Sequence, residues 1–322
     1  MRLITSISAM AVVIILAFSL EGCERNNAKE ISEIKVKEVD LSRYSNANPK
    51  NKQKILFIHH SCGGQWLADQ GSENEVFSKS RIYMAHPNGG GLRKLLEDNN
   101  YEVHEASYGS KIGDKTDICH WNAKFREQID DILKCDMQDD LYDGLSKNQI
   151  VMFKSCYPNN QIESYGKEPG NPDSSSKTLA NYKAAYNSIL KYFRKYPDTL
   201  FVCITAPPLA QNIPSRTKEF IKNVLGSENS VKAMGIRARE FNNWLKDIEN
   251  GWLSKYELKN VAVFDYYDIL TNCGESNYSM YPTRGGKDSH PSSEGNSIAA
   301  RTFLPFLNRA MNRLLKSDIT LR

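Results

Sequence analysis

Five short runs of apolar residues recur along the chain, at positions 54–60, 101–107, 149–155, 199–206 and 260–266. They are rich in Val, Ile and Phe, and three of them are continuously apolar at their centres. Such residues favour β-strands, and a strand that is apolar on both sides is buried on both faces of its sheet. The pattern therefore predicts five strands inside the protein.

Amphipathic stretches separate these runs. Within 176–197, Leu179, Tyr182, Tyr186 and further apolar residues recur at the spacing of one helix face. Comparable stretches occupy 90–100, 121–135, 231–250 and 292–316. Repeated strand–helix alternation predicts an α/β fold, in which helices cover both faces of a parallel sheet. Because no linker-like stretch interrupts the pattern, we expect a single domain over residues 51–322.

Long connections follow four of the predicted strands. They cover residues 61–88, 108–120, 156–176 and 267–291. In open parallel sheets, the segments at the carboxyl ends of the strands build the functional site. We therefore expect the functional residues in these four segments.

The start of the chain has the pattern of an export signal. Arg2 precedes an apolar run that reaches Leu20, and the letters EGC, ending at Cys23, follow at once. This arrangement resembles a bacterial lipoprotein signal, which implies that residues 1–22 are removed and that Cys23 carries a lipid. Residues 23–50 are polar and predict a tether. An uncleaved membrane anchor and an ordinary export signal are alternatives. The expected location is the bacterial cell envelope, periplasmic or surface-exposed.

Charge and cysteine spacing argue against a nucleic-acid partner, a zinc-ribbon site and one possible disulfide. The formal net charge is only +4, and no basic stripe with interleaved aromatic residues occurs, so we expect no nucleic-acid partner. The chain has no CxxC pair and hence no zinc-ribbon pattern. Cys119 and Cys135 bracket a predicted helix about 20 Å long, which is too far for a disulfide between them. Cys203 lies in an apolar strand and is expected in the core.

Candidate catalytic residues occur at both ends of the predicted domain. Ser61 follows the first strand, and the turn predicted there contains Gly63 and Gly64, which would let backbone N–H groups approach a substrate oxygen. Asp288 and His290 precede the last helix. A serine nucleophile needs a base within hydrogen-bond reach and an acid that orients the base.

Candidate donors to an oxyanion follow the two strands between these ends. Asn159 and Asn160 come after the third strand, and a side-chain N–H of either could be such a donor. Gly109 comes after the second strand and could offer its backbone amide. Asn and Gly are also the usual residues of turns, so ordinary loop structure is the alternative.

These four landmarks, in this order, resemble the SGNH (GDSL-like) hydrolase superfamily. The resemblance implies a flavodoxin-like, three-layer fold with a five-stranded parallel sheet in the order 2-1-3-4-5. It also implies that Ser61 is the nucleophile and that His290 is the general base. Gly109 and Asn159 would be the oxyanion donors, and no cofactor or metal would be needed.

The motif letters differ from the family pattern in three places. The usual Gly-Asp-Ser is His-His-Ser, and SCYPNN replaces Gly-x-Asn-Asp, so Asn159 and Asn160 both remain candidates. The usual acid position, three residues before the base, is Lys287. The acid could be Asp288, it could be Asp265 or Asp268 after the fifth strand, or the base could act without one.

Two other kinds of chemistry were considered for the segment around Ser61. His59 and His60 could bind a metal, but neighbouring strand residues point to opposite faces, which disfavours a shared ion. Cys62 could be a nucleophile if its pKa were lowered. The resemblance makes the first and third strands neighbours, so a disulfide between Cys62 and Cys156 is a further hypothesis.

The predicted function is that of an exported, lipid-anchored serine esterase. It would remove acyl groups, most plausibly acetyl groups, from a small-molecule or glycan ester, and its lipid would attach it to a membrane. A lipase-like esterase and a non-catalytic glycan-binding surface lipoprotein are the alternatives. Aromatic and polar side chains of the long segments are candidate substrate-binding residues. They are His60, Trp66, Trp121, Tyr157, Asn160, Tyr281 and Arg284.

Overall fold

The computed structural model describes residues 36–212 and 230–316. The predicted signal peptide, residues 1–22, and the predicted lipid site at Cys23 lie outside the described residues. Among the described helices, none is both long and apolar enough to cross a membrane.

The secondary structure follows the predicted alternation. The strands are β1 (Gln53–Ile58), β2 (Asp69–Gln70), β3 (Asn74–Glu75), β4 (Tyr83–His86), β5 (Tyr101–Ala106), β6 (Cys135–Met137), β7 (Asp140–Leu141), β8 (Ile150–Lys154), β9 (Leu200–Ile204), β10 (Val261–Phe264), β11 (Pro282–Thr283) and β12 (Asp288–Pro291). The helices are α1 (Ser61–Leu67), α2 (Leu92–Glu97), α3 (Ile118–Lys134), α4 (Leu179–Phe193), α5 (Val231–Lys246), α6 (Tyr266–Leu270) and α7 (Ser293–Leu315). Short 3-10 helices cover Tyr157–Asn160 and Arg284–Gly286.

The central sheet has the predicted strand order. Its order is β10-β9-β8-β1-β5-β6-β7, and the five predicted strands pair in parallel. In chain order these five are 2-1-3-4-5 from one side to the other, so the predicted flavodoxin-like fold is confirmed. β6 and β7 extend the sheet beyond β5, with β7 antiparallel to β6. This extension was not predicted, because two or three residues are too few to show a strand pattern.

Helices cover the sheet on both faces, as predicted. One apolar cluster joins the sheet to α3, α4 and α5 and includes Trp121, Phe193 and Phe241. The other joins the opposite face to α1, α2 and α7 and includes Trp66 and Phe303. Burial of these aromatic side chains supplies much of the driving force for stacking the three layers.

The second half of the predicted tether, residues 36–50, contacts the domain. The Lys37 carbonyl accepts a hydrogen bond from the Ile248 backbone N–H (2.8 Å), and the Asn46 carbonyl accepts one from the Asn308 side chain (2.8 Å). Leu41 packs against the cluster that contains α7. The domain boundary at residue 50 stays a prediction, and the described part of the tether adds contacts to the domain.

Candidate active site

Ser61 is the first residue of a helix that begins just after the central strand β1. The sequence predicted a turn here, but α1 starts at Ser61, and Gly63 and Gly64 lie inside it. A side chain at Gly63 would place its Cβ 2.4 Å from the Cβ of His59, and one at Gly64 would place it 2.0 Å from the Arg81 carbonyl oxygen. These glycines therefore permit close packing around the serine, which is a different role from the predicted one.

The base and the acid reach Ser61 from the other end of the domain. Asp288 and His290 lie on β12, which pairs with β11 as a hairpin beside α7. The Ser61 Oγ is 3.0 Å from His290 Nε2, and His290 Nδ1 is 2.7 Å from Asp288 Oδ1. The structure thus brings the three predicted residues into one hydrogen-bonded chain.

The protonation pattern of this chain suits a general base. Since a carboxylate can only accept, the His290 Nδ1–H donates to Asp288, which leaves Nε2 free to accept the Ser61 hydroxyl proton. Partial burial acts to raise the pKa of Asp288. The backbone and ring N–H groups of His290 both donate to it, however, and they hold the pKa below its usual range. Asp288 therefore remains a carboxylate at neutral pH and orients the ring.

The alternative acids after the fifth strand are occupied elsewhere. Asp265 lies 2.8 Å from Lys246 Nζ, and its side chain caps α6. Asp268 is paired with Arg239. Neither is the partner of His290, and a base acting without an acid is also excluded by the contact with Asp288.

The predicted oxyanion donors have other partners. The Gly109 amide donates to Asp114 Oδ1 (3.0 Å). The Asn159 side-chain amide donates to Asp117 Oδ1 (2.8 Å) and to the Cys156 carbonyl (3.3 Å). These two predictions are therefore not supported, because the donors are already used to shape the loops that follow β5 and β8.

Asn160 is also a structural residue. Its amide nitrogen donates to the carbonyls of Ala206 and Pro207, at 2.9 Å each, and its side chain is buried. Its predicted roles in oxyanion or substrate binding are corrected accordingly. The Ser61 backbone N–H, at the first position of α1, has no carbonyl partner within the helix and remains available as a donor at the site.

Two thiols lie beside the serine. Cys156 Sγ is 3.9 Å from Ser61 Oγ and also contacts the Cys62 thiol. The predicted disulfide between Cys62 and Cys156 is absent, since both are free thiols. Burial, together with the Cys156 contact, raises the pKa of Cys62, which makes it a poor nucleophile. The hydrogen bond from Cys62 lowers the pKa of Cys156.

Hydrogen bonds of the two histidines before Ser61 connect this part of the chain to neighbouring segments. His59 Nδ1 donates to the His60 carbonyl (2.8 Å), and its Nε2 lies 2.7 Å from Glu105, a fully buried carboxylate that also pairs with Arg93. The His60 Nε2–H donates to the Gly113 carbonyl (3.0 Å). The His60 ring stacks on the Tyr108 ring, with the ring centroids 3.6 Å apart, so its predicted role in substrate binding is not supported. Among the described residues, no group of His, Cys, Asp and Glu side chains could hold a metal ion.

An open cavity of about 760 Å³ lies above Ser61 and His290. Arg284 lines it, as predicted for a substrate-binding residue. Tyr157 packs edge-on against the His290 ring, with the ring centroids 5.1 Å apart. Trp66, by contrast, is fully buried among Phe264, Tyr266 and Phe303, so its predicted contact with substrate is wrong.

Two further aromatic candidates are also core residues. Trp121 is fully buried against Phe125 and Phe153. Tyr281 packs against the cluster that contains α7. The large aromatic side chains of the long segments therefore mainly anchor those segments to the domain, which is the more frequent role of such residues.

One wall of the cavity consists of residues that were not among the predicted site residues, although they lie in the long segment 61–88. This wall comes from the segment between α1 and α2, where β2, β4 and β3 form a small separate sheet. Its cavity-lining residues are Glu73, Lys79, Arg81, Tyr83, His86, Pro87 and Asn88. The available signal was the clustering of charged and aromatic residues in a long segment directly after the nucleophile.

The comparisons with known proteins concern architecture. No family model matches the chain, and no curated protein matches it. Among solved structures, a family two carbohydrate esterase from Clostridium thermocellum, in complex with cellohexaose, has a TM-score of 0.37 at 14% identity. The match covers 82% of this chain and 66% of that one, so the chain spans about two thirds of the clostridial protein.

Two other solved structures are matched over nearly their whole length. A carbohydrate acetylesterase from Sinorhizobium meliloti has a TM-score of 0.38 at 12% identity, over 80% of this chain and 98% of that one. A candidate GDSL-like lipase from Parabacteroides merdae has a TM-score of 0.39 at 13% identity, over 82% and 98%. What the site of this chain can do follows from its own geometry.

Proposed function

We propose that this protein hydrolyses carboxylic esters with Ser61 as the nucleophile. The observation that carries the proposal is the unbroken hydrogen-bonded chain from Ser61 through His290 to Asp288. A serine hydroxyl is a weak nucleophile unless a base takes its proton, and the base works best when a carboxylate orients it. All three groups are at the edge of one open cavity, where a substrate can reach them.

In the first half of the reaction, Ser61 Oγ attacks the ester carbonyl carbon while its proton passes to His290 Nε2. The carbonyl oxygen becomes an oxyanion, and the Ser61 backbone N–H is placed to donate to it. The imidazolium is stabilised by Asp288. When the C–O bond to the alcohol breaks, His290 gives the proton to the departing oxygen, and the acyl group stays on Ser61.

In the second half, water replaces the alcohol. His290 Nε2 takes a proton from the water, whose oxygen attacks the acyl carbon. The second tetrahedral intermediate breaks its bond to Ser61 Oγ, which recovers the proton from His290. The carboxylic acid leaves, and the enzyme returns to its starting state.

The character of the cavity supports a polar substrate, such as an acetyl ester on a carbohydrate. Most of its lining side chains are charged or polar, and two are tyrosines, Tyr83 and Tyr108. A lipase-like esterase would need an apolar surface for a long acyl chain. The aligned Ser61 and His290 favour catalysis over the non-catalytic glycan-binding alternative.

Export and lipid anchoring at Cys23 to a membrane of the bacterial cell envelope are part of the same proposal. They rest on the apolar run and the EGC letters before the domain. The mass of the N-terminal peptide of the mature protein tests them, since a lipid would add a diacylglyceryl group to Cys23.

The esterase proposal is tested by hydrolysis of an aryl acetate by the full chain. We expect Ser61→Ala to lower kcat/KM by about a thousandfold or more, because the nucleophile is lost. Cys62→Ala and Cys156→Ala are the matched controls, since they remove the neighbouring thiols, and should keep most of the activity. Activity that survives in Ser61→Ala but is lost in Cys156→Ala would contradict the proposal and identify a thiol mechanism.

A further inference from the structure

Three basic residues line the cavity that contains Ser61, on two separate segments of chain. Lys79 and Arg81 belong to the turn between β3 and β4, and Arg284 belongs to the turn between β11 and β12. The first turn packs on the helix of Ser61, and the second leads directly into the strand of Asp288. The cavity of Ser61 therefore receives positive charge from two parts of the chain.

All three basic residues have a left-handed backbone. Their φ angles are 63° at Lys79, 62° at Arg81 and 50° at Arg284. This conformation is costly for a residue with a side chain, and such strain is concentrated at functional sites. The next two residues, Gly285 and Gly286, also have positive φ angles, whereas position 284 is an arginine. The positions thus hold a basic side chain where glycine would relieve the strain.

The turn that carries Lys79 and Arg81 is held in place by its own hydrogen bonds. The Glu75 carboxylate accepts from the Arg81 backbone N–H (2.8 Å), and the Ser80 hydroxyl donates to the Phe77 carbonyl (2.7 Å). Because the Arg81 carbonyl packs directly on Gly64 of α1, the turn is also fixed relative to the nucleophile. The backbone of this turn therefore has a fixed position relative to Ser61.

The charges on the lining are not balanced. Three cations, at Lys79, Arg81 and Arg284, face two carboxylates, at Glu73 and Asp288. Asp288 Oδ1 accepts from His290, and Asp288 Oδ2 lies 3.6 Å from Nε of the largely exposed Arg284. Glu73 lies 4.0 Å from Arg81, which donates its Nη1–H to the Tyr83 hydroxyl (3.0 Å). Both ion pairs are long and partly exposed, so a ligand carboxylate can compete for the guanidinium groups, and the excess positive charge on the lining attracts an anion.

The geometry points to an ester whose alcohol part carries a carboxylate, such as an acetylated acidic sugar. This inference rests on the proposed esterase function and adds the class of substrate. Arginine guanidinium groups bind carboxylates with two parallel hydrogen bonds, and lysine adds a point charge. A carboxylate held by Arg81 and Lys79 on one wall, with Arg284 opposite, would orient the attached acyl group above Ser61.

The test compares two acetyl esters, one with and one without a carboxylate. They are the methyl glycosides of glucuronate and of glucose, each with an acetyl group on the same hydroxyl. With the full chain, we expect kcat/KM to be about tenfold higher for the glucuronate ester at low salt, as one good charge-assisted contact allows. The ratio of the two values should fall as NaCl is added, since salt screens exposed charges.

Variants assign the preference to the basic residues. Arg81→Gln and Lys79→Gln should each bring the ratio of the two kcat/KM values closer to one. Lys115→Gln is the matched control, because Lys115 is also an exposed lysine with positive φ (56°) but lies outside the cavity lining, and it should keep the wild-type ratio.

The experiment separates failure of the inference from failure of the esterase function. If wild type hydrolyses an aryl acetate through Ser61 but shows a ratio near one, the esterase function stands and the inference is overturned. The inference is also overturned if the ratio in Arg81→Gln and Lys79→Gln equals that in Lys115→Gln. If wild type hydrolyses none of the esters, the esterase function itself fails, and the inference with it.

Discussion

At the scale of residues, the position of Ser61 depends on a buried network whose members do not line the cavity. Glu105 connects Arg93 on α2 to His59, and His59 holds the carbonyl of the residue before Ser61. A fully buried carboxylate is tolerated only when it is paired and hydrogen-bonded. The network therefore fixes the start of α1, and it does so only while Arg93, Glu105 and His59 are all present.

Glu105→Gln tests this dependence. We expect it to lower the free energy of unfolding by about 3–5 kcal/mol, because it leaves Arg93 buried without its counter-charge. The matched control is Glu102→Gln on the same strand, where the carboxylate is partly exposed and lies 3.7 Å from Lys54, and the cost should be below about 1 kcal/mol. Urea unfolding measures both, and equal costs would contradict the assigned role of the network.

Some residues of the candidate site could be predicted from the sequence, and others could not. Ser61, His290 and Asp288 could be identified because each is a reactive residue in a long segment after a strand. The predicted roles of Asn159 and Gly109 are not supported, because their hydrogen-bond partners, Asp117 and Asp114, are set by loop conformations that no short pattern encodes. Side-chain direction within an irregular loop is decided by such local competition for donors.

At the scale of elements, a buried ion pair joins the end of α5 to the start of α6. Lys246 Nζ lies 2.8 Å from Asp265, which also accepts a hydrogen bond from Thr205 (3.1 Å). Burial alone would raise the pKa of Asp265, but the Lys246 ammonium beside it holds the pKa below its usual range. The pair thus stabilises the fold only while Asp265 is ionised.

This pair predicts an acid-sensitive part of the stability. Because the pKa of Asp265 is lower in the folded than in the unfolded state, its contribution is present above about pH 4 and is lost as the pH falls through the folded value. Asp265→Asn should be less stable by about 1–3 kcal/mol at pH 7, since Lys246 keeps Glu38 (3.0 Å) and Asp268 (3.6 Å) as partners, and the difference should shrink below pH 4. Urea unfolding from pH 7 to pH 3 measures it, with the exposed Asp143→Asn as the control. A constant difference over this range would disprove the linkage.

Elements differ in how well the sequence predicts them. The five long strands and the helices α3, α4, α5 and α7 show clear periodicity, because each packs a regular apolar face against the core. The small sheet of β2, β4 and β3 has strands of two to four residues and mostly exposed or half-buried positions, which leave no periodic signal. That sheet carries one wall of the cavity, so the sequence pattern did not reveal how this wall is built.

At the scale of the whole molecule, the segment 36–50 runs from the carboxyl-terminal side of α5 to the amino end of the sheet. It contacts Ile248 near α5, Asn308 in α7 and Asn99 before β5. No residue of this segment lines the cavity above Ser61 and His290. The segment therefore adds to the stability of the domain without adding to the site.

A shortened chain tests the contribution of this segment. A chain that begins at residue 51 should be less stable than one that begins at residue 36 by about 1–3 kcal/mol, since a typical hydrogen bond contributes about 1 kcal/mol. The kcat/KM for an aryl acetate, per folded molecule, should be the same in both. Equal urea midpoints would contradict the stabilising role, and a loss of activity would show that the segment reaches the site.

The hydrogen bond between Ser61 and His290 joins residues 229 positions apart in the chain. During synthesis, most of the domain must therefore be made after Ser61 before His290 is added. Until then, Ser61 has no base beside it and is unreactive. Cutting the chain anywhere between these positions would leave the nucleophile on one fragment and the base on the other. The proposed ester hydrolysis can thus serve as a reporter of reassembly, silent in either fragment and restored only when the two associate.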